Sequence, residues 1–251
     1  MTIRLLILFT ASFLYLGSVF AQAPTIAVAA NMKDAFAEIA TAFKSPNKSE
    51  MKVVYGSSGN FAAQIMNGAP FGLLIAADEH FPLELYKNGK TVDEGAVYAI
   101  GKLVMITKTS SDIQLLESKA ALTKAISKAN KIAIAKPELA PYGRAAVQYL
   151  KAEGLWDTAK DKLVYADNIG AATTYVMSGA ADIGFTALSL ARSPEVTKQA
   201  SFLLADAALY EPIKQRMVLM KGAPQELVDL YRFIQGSQAK AILQKYGYTT
   251  P

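Results

Sequence analysis

The chain has 251 residues, 52% of them hydrophobic and 19% charged, with 26 Lys and Arg against 21 Asp and Glu. That balance excludes a disordered chain and supplies either one large globular unit or two modest lobes. The basic groups are spread without a cluster interleaved with aromatics, so no nucleic-acid partner is expected. With a single His and no Cys, disulfides, lipid attachment at a Cys and a tetrahedral transition-metal site are all excluded.

The start of the chain stands apart. Arg4 precedes an uncharged apolar run from Leu5 to Phe20, and both Val19-Phe20-Ala21 and Ala21-Gln22-Ala23 suit a small-residue cleavage rule. Residues 1–23 therefore read as a secretory signal peptide, cleaved after Ala21 or Ala23. The run is short for a membrane span, and no stop-transfer pattern follows. Cleavage removes Arg4 and no acid, leaving 25 basic groups against 21 acidic ones, a net charge of +4 that can steer small anions. A periplasmic, monomeric protein is expected.

Thr25 to Ala30 reads as a buried strand. Asn31 follows as an N-cap, with Phe36, Ile39, Ala40 and Phe43 on one face of a helix that Ser45-Pro46-Asn47 stops. Met51 to Tyr55 is the next strand. Gly56-Ser57-Ser58-Gly59 turns it into a helix carrying Phe61, Ile65 and Met66, and either serine can cap that helix or point its hydroxyl into the corner. A short strand at Leu73 to Ala76 follows. Strand–helix–strand–helix–strand implies a parallel sheet with right-handed crossovers.

Val97 to Thr107 reads as one long apolar strand, with Gly101 inside it, that crosses between lobes. The grammar then repeats. Ile132 to Ala135 leads through Pro137–Pro141 to a helix from Gly143, with Ala146, Tyr149 and Leu150 on one face. Lys162 to Tyr165 leads through Asn168-Ile169-Gly170 to a helix through Ala172, Tyr175 and Val176, closed by Gly179. Ile183 to Phe185, Ser201 to Ala205 and Arg216 to Met220 read as further strands, and amphipathic helices start at Pro224 and Ser237. The expected architecture is α/β with two lobes, residues 24–100 with 208–251 forming one and 101–207 the other. Their cleft lies at the carboxyl ends of the strands.

Four strand-to-helix corners carry the functional signal: Ala29-Ala30-Asn31-Met32, Gly56-Ser57-Ser58-Gly59, Pro141-Tyr142-Gly143 and Asn168-Ile169-Gly170. Each offers unpaired backbone N–H groups at the positive end of a helix dipole, and together they would form a cage for an anion. Catalysis is not expected. Gly56-Ser57-Ser58-Gly59 is one residue short of a nucleophile elbow, and no Walker lysine or dinucleotide fingerprint is present. The competing enzyme reading, an extracytoplasmic serine hydrolase, needs His80 within hydrogen-bond reach of Ser57 or Ser58. His80 lies in a charged run, Asp78-Glu79-His80, expected on the solvated surface.

Several segments together resemble the periplasmic molybdate-binding proteins, the substrate-binding components of molybdate ABC importers. They are Ala29-Ala30-Asn31, residues 56–59, Gly68-Ala69-Pro70, Ala76-Ala77-Asp78, Tyr98 to Val104, Ala140 to Gly143, Gly179 to Phe185 and Tyr210 to Ile213. The resemblance runs from about Thr25 to the end of the chain. It implies a type II periplasmic-binding-protein fold, each lobe a mainly parallel sheet flanked by helices, closing around a tetrahedral molybdate or tungstate dianion with no counter-cation, no cofactor and no directly bound metal. It also implies an inner-membrane permease as partner. By that resemblance Asn31, Ser58, Tyr142 and the backbone N–H of Ile169 hold the ligand, with Ala30 and Ser57 as secondary contacts. Ala187 stands where some relatives use a Tyr hydroxyl, so Tyr142 supplies that donor here.

The chemistry agrees with this ligand class. A fully ionised dianion wants donors only, and aligned helix N-termini supply positive potential without Lys or Arg. Phosphate keeps a proton near neutral pH and needs an acceptor, for which Asp167 is the one nearby carboxylate. Sulfate needs none, so cavity size alone separates it from molybdate.

Overall fold

The structure is a computed structural model, and it describes residues 23–43 and 51–251. The proposed leader, but for Ala23, and the helix stop at Ser45-Pro46-Asn47 lie outside the described residues.

The first half runs β1 (Thr25–Ala29), a 3-10 turn (Ala30–Met32), α1 (Lys33–Ala42), β2 (Lys52–Gly56), α2 (Ser58–Met66), β3 (Phe71–Ile75), α3 (His80–Lys87) and β4 (Ala96–Gly101). Next come β5 (Leu103–Lys108), α4 (Lys119–Lys128), β6 (Ile132–Ala135), α5 (Pro141–Ala152), α6 (Trp156–Ala159), β7 (Leu163–Ala166) and α7 (Ile169–Met177). The chain ends with β8 (Ile183–Ala187), α8 (Leu188–Ala191), α9 (Pro194–Thr197), β9 (Ala200–Leu204), β10 (Ile213–Leu219), α10 (Gln225–Ile234) and α11 (Ser237–Lys245).

Two five-stranded sheets result, ordered β2-β1-β3-β10-β4 and β7-β6-β8-β5-β9. They share one plan. In the first, β1 pairs parallel with β2 and β3, and β10 runs against β3 and β4. In the second, β6 pairs parallel with β7 and β8, and β5 runs against β8 and β9. The reversed strand in each sheet is the one arriving from the other sheet, so each lobe is mainly parallel in direction with one contrary strand. The extended chain expected from Val97 to Thr107 is interrupted at Lys102, and its two halves join different sheets. The Lys102 carbonyl accepts from the Leu188 N–H at 2.9 Å, which ties the break down.

Sheet one is covered on both faces, which explains its continuous apolar strands. Ile26 and Val28 of β1, Leu73 and Ile75 of β3, and Met217 of β10 pack with Phe36, Leu227, Leu230 and Leu243. The alternate residues Ala27, Leu74 and Val218 face the other way, against Phe61, Ile65 and Leu85. That is the period-2 pattern of a strand used twice. In α7 the expected face is incomplete: Ala172 and Val176 are buried, whereas Tyr175 is 36% exposed. Gly179 closes α7 with φ +80°, the left-handed conformation that glycine adopts without a Cβ clash.

Candidate functional site

The four corners meet. Ala30 and Asn31 after β1, Ser57 and Ser58 after β2, Tyr142 at the start of α5 and Ile169 at the start of α7 all line one cavity between the two sheets. Among the described residues, none that lines it is charged. Its closed volume is about 10 Å³, room for the centre of roughly one water-sized sphere. The hollow therefore suits one compact ion.

Two hydroxyls are turned into donors by what they receive. Ser58, fully buried, accepts the Ala77 N–H on Oγ at 2.9 Å, which leaves its own proton for the cavity. Tyr142, 1% exposed, accepts from Gln215 Nε2 at 3.0 Å with the same consequence. Burial pushes the Tyr142 phenol well above its ordinary value, so it stays neutral and keeps that proton. Ser57 holds the N-cap position of α2, yet its side chain makes no capping bond, and its buried Oγ has no hydrogen-bond partner among the described residues. At α7 the Asn168 side chain accepts from the Ala171 N–H at 3.0 Å. The Ile169 N–H, a first-turn donor with no acceptor in its own helix, remains for the cavity.

Asn31 is placed differently from expectation. It sits inside the 3-10 turn, whose N-cap is Ala29, and makes no capping bond. Its Nδ2 donates instead to Gln215 Oε1 at 2.9 Å and Tyr248 OH at 2.8 Å, while its buried Oδ1 has no partner among the described residues. Its backbone carbonyl accepts from Ser189 Oγ at 2.7 Å and from Tyr248 OH at 3.0 Å. In this arrangement Asn31 offers the cavity its backbone N–H, because both amide protons are committed elsewhere. The residues that take them are 184 and 217 positions away in sequence, which is why local reading missed them. One signal was available for Gln215: it shares a strand face with the apolar Ile213, Met217 and Leu219, where a polar residue needs a reason.

Contacts across the cleft surround the cavity. The Gly59 N–H of α2 donates to the Leu139 carbonyl at 3.0 Å. Arg144 of α5 pairs with Asp78 and lies 5.7 Å from the Phe81 ring centroid. The solvated run expected at Asp78-Glu79-His80 is thus only partly so. Asp78 is 7% exposed, and burial pushes its carboxyl up despite the hydrogen bond from Arg144. Glu79 accepts from Arg216 at 2.6 Å. Only His80 fits the expectation, with its side chain 68% exposed and 3.9 Å from Glu84. Among the described residues no hydrogen bond joins His80 to Ser57 or Ser58, so the hydrolase reading lacks its required geometry. Asp167 accepts from Lys136 Nζ at 2.6 Å on the surface and does not line the cavity.

Residues 24–249 match the profile of the family described as bacterial extracellular solute-binding protein. The molybdate-binding protein ModA of Azotobacter vinelandii is 37% identical over 229 residues, covering 89% of this chain and 88% of that protein. ModA of Rhodobacter capsulatus is 35% identical over 227 residues, covering 89% and 87%. Among solved structures, the Azotobacter vinelandii periplasmic molybdate-binding protein matches with a TM-score of 0.81 and 31% identity, over 91% of this chain and 99% of that one. The sulfate-binding protein SubI from Mycobacterium tuberculosis H37Rv matches with a TM-score of 0.73 at 13% identity, over 91% and 86%, a likeness of fold alone.

Proposed function

The chain belongs to the periplasmic molybdate-binding proteins, within the bacterial extracellular solute-binding family, and from that premise we propose that it captures molybdate, and tungstate comparably, for delivery to an ABC importer. The protein works as a periplasmic monomer once its leader is cleaved. Lobes formed by residues 24–100 with 208–251 and by 101–207 close on the oxyanion, and the rims of both meet the permease. Asn31, Ser58, Tyr142 and Ile169 hold the ligand, with Ala30 and Ser57 beside them. No cofactor takes part, and molybdenum is held only through its oxygens.

One observation carries this reading: among the described residues, the cavity is lined by donors and apolar groups and by no charge of either sign. A dianion there is balanced by helix N-termini and by O–H and N–H bonds, each bond to a charged group contributing about 1.5–3 kcal/mol. Hydrogen phosphate would bring a proton to a cavity with no carboxylate among the described residues that line it, leaving that proton poorly matched. Parallel calorimetric titration with molybdate, tungstate, sulfate and phosphate tests the proposal. Tight binding of the first two and weak or no binding of phosphate is the expected pattern. Preference for sulfate would reassign the ligand, and indifference to all four would end the reading.

The same geometry predicts an unusual pH profile. The ligand needs Tyr142 neutral, and burial holds that phenol well above its ordinary range. A free tyrosine ionises near pH ~10. Molybdate affinity is therefore expected to stay level from pH 7 to about pH 10.5, where an ordinary tyrosine would already be mostly ionised. Titrations across that range that weaken with an ordinary tyrosine pKa would remove Tyr142 as a buried donor.

A further inference from the structure

Gln215 is fully buried on β10 and reaches across the cleft. Its Oε1 accepts from Asn31 Nδ2 at 2.9 Å and from Tyr98 OH at 2.8 Å. Its Nε2 donates to Tyr142 OH at 3.0 Å. Asn31 and Tyr98 belong to the first-sheet half, whereas Tyr142 starts α5, which packs on the second sheet. One amide therefore joins a strand of one lobe to a candidate ligand donor carried by the other.

The orientation of that amide decides what the cavity meets. A phenol oxygen that receives an N–H cannot send its own proton back along the same line, so the Tyr142 proton is free for a ligand. Turned over, the amide would present Oε1 to Tyr142, take that proton, and leave a lone pair facing an anion. The amide protons of Asn31 hold Gln215 in the donating orientation, because they need the acceptor Oε1 provides, and Asn31 is itself tied to Tyr248 at 2.8 Å. Tyr98 OH, 2.9 Å from the Ala76 carbonyl as well, completes the support. Ser58, held as a donor by the Ala77 N–H, follows the same logic from the other corner.

We propose that Gln215 is a positioning residue that forces Tyr142 to donate into the cavity, and so sets the preference for fully ionised oxyanions over protonated ones. This rests on the oxyanion-binding reading above and names the group that tunes its selectivity.

The test is a double-mutant cycle read by calorimetry with sodium molybdate and with sodium phosphate, alongside thermal melts. Gln215→Met, of similar volume without donors or acceptors, is expected to weaken molybdate binding about tenfold, or ~1.4 kcal/mol, in the Tyr142 background. In the Tyr142→Phe background the same change is expected to cost less than twofold. The molybdate-to-phosphate affinity ratio should fall with it. Gln215→Glu is expected to lose more at pH 8, where a carboxylate accepts the phenol O–H as a hydrogen bond and turns it from the cavity, and to recover part of the loss as the pH is lowered. Equal losses in both backgrounds would make Gln215 merely structural and overturn the proposal, as would unchanged affinity and ratio. A wild-type spectrum with 13C-labelled tyrosine needs no variant and decides the matter if the variants do not fold. The Tyr142 ring signal should move on adding molybdate while that of Tyr98 stays, and an unmoved Tyr142 signal refutes the proposal. A wild type that binds no oxyanion refutes the functional reading itself, which is a different outcome from binding with no role for Gln215.

Discussion

Gly101→Ala is expected to lower molybdate affinity on the order of a hundredfold or more, roughly 2.7 kcal/mol, in a chain that still folds. Gly101 ends β4 at the point where the chain leaves the first sheet, paired in register with Ile213. A Cβ there would lie 2.1 Å from the Tyr142 hydroxyl oxygen and 2.5 Å from Gln215 Nε2. Neither contact can be relieved without moving the two groups whose meeting directs the phenol proton. The backbone is not the obstacle, since Gly101 is not among the glycines with positive φ. The stability cost should thus be that of overpacking, about 1–3 kcal/mol, while binding suffers from a displaced Tyr142 and lobes held apart. Calorimetry together with a thermal melt separates the two effects. A folded Gly101→Ala protein with wild-type affinity would show that the Tyr142–Gln215 contact is irrelevant to capture.

Tyr142→Phe is the second large effect. The ring is kept and only the hydroxyl goes, so the packing of α5 against the second sheet through Ala146, Tyr149 and Leu150 should survive. Losing one hydrogen bond to a doubly charged ligand is expected to cost about 1.5–3 kcal/mol, or roughly 10- to 150-fold in Kd. The free protein should also lose stability, because Gln215 Nε2 would be left buried with no acceptor, a penalty of about 1–3 kcal/mol. Measured affinity within twofold of wild type would exclude the hydroxyl from the site and return the donor role to backbone groups alone.

These two residues were legible in the sequence to different depths. Tyr142 stood at a strand-to-helix corner, a local pattern of turn residues and apolar periodicity, and so did Ser58 and Ile169. Gly101 was visible only as a glycine inside an apolar run. Nothing nearby announced that the run would break at Lys102, because both halves are apolar and each would be buried in either sheet. The buried Asp78 was misread for a similar reason. A three-residue charged run resembles solvated surface until Arg144, from another lobe, is placed against it. Asn31 looked like an N-cap because asparagine commonly is one, but a 3-10 turn draws it inward, and Gln215 and Tyr248 take its amide protons.

The sequence by itself determined that the chain is α/β, that it repeats a strand–corner–helix unit, that charge and metal ligands are missing from its corners, and which backbone donors those corners expose. Those features depend on neighbours within a few residues, where propensity, capping and periodicity act. The tertiary structure alone decided that the corners share one hollow, that the hollow is small, and which way each hydroxyl and amide points in it. A hydroxyl's sense as donor or acceptor is set by whatever group sits opposite, and here those groups come from strands and helices far along the chain.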